Sequence, residues 1–368
     1  MKVGFLAGTL GRGGAERQLV FMLQALINEG IEARVLCLTN GEAFEQEIRD
    51  LGVEVDWIGR SQSRVFRLGS LVRNLRKSPV DILQSAHFYT NIYVAIAARI
   101  LGVRSIGAIR NDLISEITAN GSFGKWQVAL PNVLIANSRL AVKRALATGV
   151  QPEGINLLLN AVSERNPDFK LDSGENLQVL FAGRLVPQKR PELFIELVSQ
   201  LRDAFPQQAF KFMVAGDGPL RSGLEQMAND LGLMGTELIF LGEQSHIDEV
   251  YRTTDILVLT SRHEGTPNVI LEAMSHGVPV VATRVGGVPE IVPEGCGILV
   301  DPNDFAGLFR SVSSLVHDYD LRNRMGRRAQ EYVRKNHSIG YLQERLKIIY
   351  SGLMEKNRSG NERRAFSQ

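Results

Sequence analysis

Short runs of apolar and β-branched residues alternate with longer stretches of helical spacing, and this alternation constrains the fold more than any other feature. The runs KVGFLAG, ARVLCLT, VEVDWIG, DILQS, RSIGAI and NVLIANS are separated by segments such as AERQLVFMLQALINEG. Strands buried on both faces and joined by helical crossovers make parallel sheets with right-handed connections. Gly30 stands where the first helix should end, as the residue after its C-cap.

The series stops after INLLLN and resumes beyond AVSERNPDFKLDSGENLQ, a polar stretch with a proline and a glycine. Such a change of composition marks a domain boundary. The second series, QVLFAG, FKFMVAG, ELIFLG, DILVLT, PVVAT and GILV, predicts a second sheet of the same kind. The fold class is therefore α/β, with two Rossmann-like domains over 1–165 and 166–335. A C-terminal helix is expected over 336–355, and a polar, disordered tail over 356–368. A chain of 368 residues exceeds the roughly 250 to 300 at which single cores stop growing, which also favours two domains.

Composition removes several classes of function. The 42 basic and 40 acidic residues nearly balance, so there is no electrostatic footprint for bulk nucleic-acid binding. Cys37 and Cys296 lie in opposite halves, which argues against a disulfide framework and for a reducing compartment. No apolar run reaches the length of a membrane span, and MKVGFLAGTLGRGG reads as a first strand rather than a signal-peptide core. A cytoplasmic protein is expected.

In open α/β sheets, ligands bind in the loops beyond the carboxyl ends of the strands. Four loops there carry chemistry. In GTLGRGGAER, Gly8, Gly11, Gly13 and Gly14 allow backbone N–H groups to approach an anion. Their spacing is not that of a dinucleotide fingerprint, and the second strand ends in Thr39 and Asn40 rather than an acid. AGRLVPQKRPELFI brings Arg184, Lys189 and Arg190 beside a helix that Pro191 begins, an arrangement suited to a diphosphate. VAGDGPLR, with Gly216, is a third glycine turn. In EGTPNVILE, Thr266 is expected to cap a helix with Pro267 at its first position and Gly277 beyond its end. Glu264 then precedes that helix, and Glu272 lies within it among Val269, Ile270, Leu271, Ala273 and Met274. A carboxylate in such company needs hydrogen-bonding partners, a need that ligand hydroxyls meet.

Taken together, SRHEGTPNVILEAMSHGVPVVATRVGGVPEIV, GRLVPQK, GDGP and GRGGAER resemble the retaining glycosyltransferases of family 4. The resemblance runs from about residue 3 to residue 350 and implies the GT-B fold. In that fold two Rossmann-like domains face each other across a cleft, and the C-terminal helix crosses back to the N-terminal domain. By resemblance the donor is a nucleoside diphosphate sugar and the acceptor a saccharide or lipid-linked saccharide. Polysaccharide or lipopolysaccharide assembly is the implied setting. The six histidines are scattered, so a metal-free mechanism is expected, with no cofactor.

The resemblance also distributes roles. Arg184 and Lys189 bind the diphosphate, Glu264 the donor-sugar hydroxyls and Glu272 the ribose. Backbone near Thr266, Pro267 and Asn268 assists at the phosphates. Gly13 and Gly14 face the phosphates or the acceptor, with Glu16 and Arg17 behind them, while Gly216, Gly242, Glu243 and Gln244 belong to the nucleotide side. His87 is the nearest match to a histidine of the family, although Ala86 aligns about as well. Arg110, Asn111 and Asp112 replace a segment that often ends in histidine and are assigned to the acceptor. Two departures stand out: Arg190 occupies a position where glycine commonly follows the lysine, and LLLNAVSE replaces the usual Pro-Asn-Gly-Val pattern. A sugar-nucleotide epimerase and a catalytically silent nucleotide-binding scaffold are the alternative readings.

The segment RSQSRVFRLGSLVRNLRKS, residues 60–78, carries six cations and no acid, interleaved with apolar residues. It reads either as a solvated crossover helix or as a basic amphipathic surface in peripheral contact with the inner face of an anionic membrane through residues 60–77.

Overall fold

The computed structural model describes residues 1–163, 176–235 and 237–365, with side chains through 355. The chain divides into two compact units, Met1–Ala161 with Ile339–Gln368, and Val162–Ser338. The polar stretch at which the sequence places a boundary, 164–175, lies outside the described residues.

In the first unit the strands are β1 (Lys2–Ala7), β2 (Glu32–Cys37), β3 (Glu54–Trp57), β4 (Ile82–Ser85), β5 (Arg104–Ile109), β6 (Val133–Ala136) and β7 (Ile155–Leu157). They form one sheet in the order β3-β2-β1-β4-β5-β6-β7, parallel throughout. Its helices are α1 (Gly14–Asn28), α2 (Ala43–Asp50), α3 (Arg64–Lys77), α4 (Asn91–Leu101), α5 (Leu113–Ala119), α6 (Gly124–Ala129) and α7 (Arg139–Ala147). Alternate residues of one strand feed opposite layers. Val3 and Phe5 pack with Leu19, Met22 and Leu23 of α1, whereas Leu6 packs with Leu71 and Leu75 of α3 and Val94 of α4. Both faces are covered, which is why the strands read as continuous apolar runs.

The second unit repeats the plan with β8 (Leu177–Ala182), β9 (Phe210–Ala215), β10 (Leu238–Gly242), β11 (Ile256–Leu259), β12 (Val280–Thr283) and β13 (Gly297–Val300). Their parallel order is β10-β9-β8-β11-β12-β13. The helices are α8 (Pro191–Ala204), α9 (Arg221–Asp230), α10 (Ile247–Thr253), α11 (Asn268–Ser275), α12 (Val288–Ile291), α13 (Phe305–His317) and α14 (Tyr319–Asn336). Val179 and Phe181 of β8 face the α8 layer, and Leu180 and Ala182 face the layer of α11.

The last helix, α15 (Ile339–Ala365), belongs to the first unit. Leu342, Leu346, Ile349, Tyr350 and Leu353 lie on one stripe and join the core beside α1. The buried Tyr350 hydroxyl donates to Gln84 Oε1 at 2.6 Å. The backbone remains helical through Ala365, into the stretch read from sequence as a disordered tail. Once a docked stripe has nucleated a helix, each added residue contributes a hydrogen bond at small cost. Among the described residues no helix is long and apolar enough to cross a membrane.

Each sheet reverses its strand order once. In the first unit β1 and β4 are neighbours and the chain leaves them toward opposite layers; in the second, β8 and β11 do the same. Ligands bind at such points, because two adjacent loops part there and leave a crevice.

Candidate functional site

In the second unit the loops after β8 and β11 are stitched together across the switch point. Arg262 N–H donates to Gln188 O at 2.8 Å, and Gln188 Nε2 donates to His263 O at 2.8 Å. The Thr260 hydroxyl donates to the carbonyls of Lys189 and Arg190, at 2.8 Å each. On this frame Lys189 Nζ lies 2.5 Å from Glu264 Oε1, which also accepts the Ser261 hydroxyl at 2.5 Å. Both partners are largely withdrawn from water, whereas Arg184 is exposed. The Lys189 ammonium thus faces the Glu264 carboxylate at the carboxyl edge of the sheet, and the loop after β8 also carries the exposed Arg184.

Arg190 does not join these cations. Its Nε donates to Thr260 O at 2.8 Å and its side chain is buried, where desolvation and the neighbouring Arg262 lower its pKa. Among the described residues it is the non-glycine residue with positive φ, at 47°. Left-handed backbone costs a non-glycine residue about 1–2 kcal/mol, which the two hydrogen bonds between Arg190 and Thr260 offset. The backbone here has the shape glycine favours, so the departure noted in the sequence changes the residue and not the turn.

The helix α11 begins at Asn268, one residue later than the sequence implies. Pro267 is its N-cap, with an extended ψ of 117°, and Thr266 is buried ahead of it. Proline fixes φ alone, so it fits either position and the incoming loop decides ψ. Glu272 projects from the second turn, where its Oε2 accepts the hydroxyl of Tyr251 at 3.1 Å. Tyr251 is fully buried, and burial first, then the charge of Glu272, raises its pKa well above the usual tyrosine range. Gly216 N–H donates to Gly242 O at 2.8 Å, tying the β9 and β10 loops together, and Gln244 Nε2 turns back to Leu241 O at 2.6 Å while Glu243 is exposed.

The first unit gathers a second cluster at its own switch point. His87 follows β4, and its Nδ1 accepts the N–H of Gly8 at 3.1 Å. The ring proton is therefore on Nε2, which donates to Glu16 Oε1 at 3.1 Å. The same oxygen accepts the Thr9 hydroxyl at 2.5 Å. Burial acts to raise the pKa of Glu16, but the bonds from His87 and Thr9 prevail and lower it. A side chain at Gly13 would lie 2.2 Å from Glu16 Oε2, so a larger residue there would push this carboxylate aside. His87 stacks on Tyr89, ring centroids 5.4 Å apart, while Ala86, which aligns about as well, faces the core.

Other residues singled out in the sequence scatter. Arg17 pairs with Glu47 of α2 at 2.6 Å and lies over the Phe44 ring. Arg110 points inward: burial lowers its pKa to about 10, and its Nη2 meets Met22 Sδ at 3.3 Å. Asp112 caps α5 through Ser115 N–H and pairs with Arg144. Asn111 donates to Glu116 Oε1 at 3.3 Å, so Asn111 and Asp112 share the α5 surface and Arg110 does not. One Asp-x-Asp, Asp318-Tyr319-Asp320, escapes the reading of the sequence; it opens α14, where Asp318 accepts Leu321 N–H at 2.8 Å.

Two supporting residues were not found by sequence reasoning. Tyr251 orients Glu272 from twenty-one positions away, with nothing local to announce it. Gly286 was quoted within a motif but given no role. At φ 53°, a side chain there would lie 1.7 Å from the carbonyl oxygen of Glu264, and Gly287 N–H donates to Gly265 O at 2.9 Å. The Gly-Gly turn therefore braces the loop that presents Glu264.

Comparison with known proteins identifies the family and the fold. The family Glycosyl transferases group 1 matches residues 162–332, and Glycosyltransferase Family 4 matches residues 12–165. The lipopolysaccharide core biosynthesis glycosyltransferase LpsE of Rhizobium meliloti is 34% identical over 87% of this chain and 90% of its own. The GalNAc-alpha-(1->4)-GalNAc-alpha-(1->3)-diNAcBac-PP-undecaprenol alpha-1,4-N-acetyl-D-galactosaminyltransferase of Campylobacter jejuni is 29% identical over 95% of this chain and 98% of its own. Among solved structures, Anabaena HepE in complex with UDP and glucose superposes with a TM-score of 0.82 at 22% identity, covering 95% of this chain and 99% of HepE. The two parallel sheets, the strand order and these full-length relatives place the chain in glycosyltransferase family 4, with the GT-B fold.

Proposed function

We propose that the protein is a retaining, metal-independent hexosyltransferase that moves a sugar from a nucleoside diphosphate sugar to an acceptor hydroxyl, in polysaccharide or lipopolysaccharide biosynthesis. The observation that carries this reading is the Lys189–Glu264 pair ahead of α11, with Glu272 on that helix and Arg184 exposed in the same loop as Lys189. The cations take the diphosphate, Glu264 the hydroxyls of the donor sugar and Glu272 the ribose. Backbone around Thr266, Pro267 and Asn268 directs the start of α11 toward the phosphates, where its dipole favours negative charge.

As the glycosidic bond to the diphosphate breaks, negative charge grows on the departing phosphate, and Arg184 and Lys189 stabilise it. Attack and departure occur on one face of the sugar, with the leaving phosphate taking the proton of the acceptor hydroxyl. Glu264 orients the sugar and is not the nucleophile. Gly216, Gly242, Glu243 and Gln244 line the nucleotide side in unit 2. On the acceptor side, the loop of Gly13 and Gly14, Glu16 and His87, with Arg17, Asn111 and Asp112 on neighbouring elements, contributes from unit 1. Both ring nitrogens of His87 are engaged, so it serves by holding that loop.

Supporting the donor class, HepE is described with UDP and with UDP-glucose. Supporting the setting, LpsE is named for lipopolysaccharide core biosynthesis and the Campylobacter relative for an undecaprenol-linked acceptor. A lipid-linked acceptor also gives a purpose to the cations of α3, through which we place the protein in peripheral contact with an anionic membrane. The test is a calorimetric titration with UDP, GDP and ADP. One nucleotide should bind, and about tenfold or more weakly in Lys189→Ala and Glu272→Ala. Absence of binding by all three overturns the reading.

A further inference from the structure

Scattered apolar residues are ordinary on a soluble surface, but a cluster of large ones among cations is not. Around the first turn of α3, Val65 is 78% and Phe66 70% exposed. A short 3-10 turn, Gly121–Phe123, leads into α6, and there Phe123 is 50% and Trp126 55% exposed. The two segments meet, because the guanidinium of Arg64 lies 5.1 Å from the centre of the Phe123 ring. Trp126 follows Phe123 by one helical turn and so shares its side. From Val65 a groove of about 610 Å³ runs along α3 beside Ile100 of α4, with Leu68 and Val72 in its lining and Arg73, Arg76 and Lys77 along it.

We infer that the surface meeting the membrane is composite: Phe123 and Trp126, with Phe66, insert into an anionic leaflet whose phosphates the cations of α3 hold. This rests on the proposed contact of α3 with a membrane and adds Phe123 and Trp126, from outside α3, to the apolar start that Val65 and Phe66 give it. The occupant must be apolar and anionic at once. A second copy of the chain would bring Arg64, Arg67, Arg73, Arg76 and Lys77 against themselves with no acid in α3 to neutralise them. A bilayer offers both properties, since aromatic rings settle at the level of the headgroups while basic residues gain from the surface potential.

The chain contains two tryptophans, so Trp57→Phe leaves Trp126 as the reporter. Mixed with vesicles of phosphatidylcholine and phosphatidylglycerol, its emission should shift to shorter wavelength and be quenched by lipids brominated in the acyl chain. Vesicles of phosphatidylcholine alone should leave it unchanged. Phe66→Ser with Phe123→Ser should reduce partitioning at least about tenfold, with UDP binding unaltered. If Trp57→Phe does not fold, the difference between the unaltered chain and Trp126→Phe gives the same readout. Vesicle binding that is lost in Arg73→Glu with Arg76→Glu but never quenches Trp126 overturns the inference and leaves the α3 contact standing. No binding to any vesicle overturns both, and UDP titration reports separately on the transferase reading. A shift of Trp126 without vesicles that grows with protein concentration overturns the inference in favour of a second copy.

Discussion

Replacing Glu264 by glutamine is expected to lower turnover and, at the same time, to tighten the binding of free UDP. Lys189 Nζ lies 2.5 Å from Glu264 Oε1, with the two side chains 12% and 7% exposed. A charge-assisted hydrogen bond is worth about 1.5–3 kcal/mol. A diphosphate that engages Lys189 must share it with Glu264 and also approach that negative charge. Glutamine keeps the size of the side chain and its bond with Ser261 but removes the charge. If half of the pair is surrendered on binding, about 1 kcal/mol is recovered, or roughly a fivefold smaller Kd. The same loss of pairing should lower the melting temperature by a few degrees in a unit of this size. On the proposed role of Glu264, turnover falls because no carboxylate remains to accept the sugar hydroxyls. Calorimetric titration of UDP into both proteins, with thermal unfolding alongside, makes the comparison. Weaker UDP binding in Glu264→Gln, by the factor seen in Lys189→Ala, would refute the view that the pair restrains Lys189. Full activity would refute the role in orienting the sugar.

Glu116 supplies a pH-dependent prediction, since burial raises its pKa from 4.5 to about 7. Between these values the folded chain holds a proton that the unfolded chain has lost, so Glu116 costs stability as pH rises through the window. Glu116→Gln should therefore match the parent near about pH 4 and be more stable by about 1–2 kcal/mol near about pH 8, as read by urea unfolding; an equal gain at both would count against it. Gly286→Ala should destabilise the chain by about 2 kcal/mol and weaken UDP binding, because a side chain at φ 53° would collide with the Glu264 carbonyl. An alanine variant with unchanged melting and affinity would show that the turn does not brace the loop.

The strands were legible because burial on both faces writes itself into consecutive apolar residues, as in KVGFLAG and DILVLT. The second-unit loops were legible for a different reason: glycine, proline and charge at the ends of strands are local chemistry. Where a residue's role depends on a distant partner, sequence reasoning lost its hold. Arg190 and Lys189 are adjacent cations, yet one pairs with Glu264 and the other turns into the interior toward Thr260. Arg110 is adjacent to Asn111 and Asp112 and points the opposite way, toward Met22. Strand residues alternate sides, but which side a residue at the strand end takes depends on what packs there. The placement of Pro267 failed for a narrower reason, because its fixed φ is compatible with two helical positions.

What the amino-acid order determined by itself was the kind of structure and the kinds of chemistry: two parallel sheets, the loops at their carboxyl edges, and the acids and cations those loops carry. It did so because periodicity, turn preference and charge act over a few residues. Tertiary structure alone decided the order of the strands. Placing β4 beside β1 and β11 beside β8 brings His87 to Glu16 across 71 positions and Glu264 to Lys189 across 75. Pairing between distant strands is settled by the joint burial of whole layers, so no short stretch of sequence contains it.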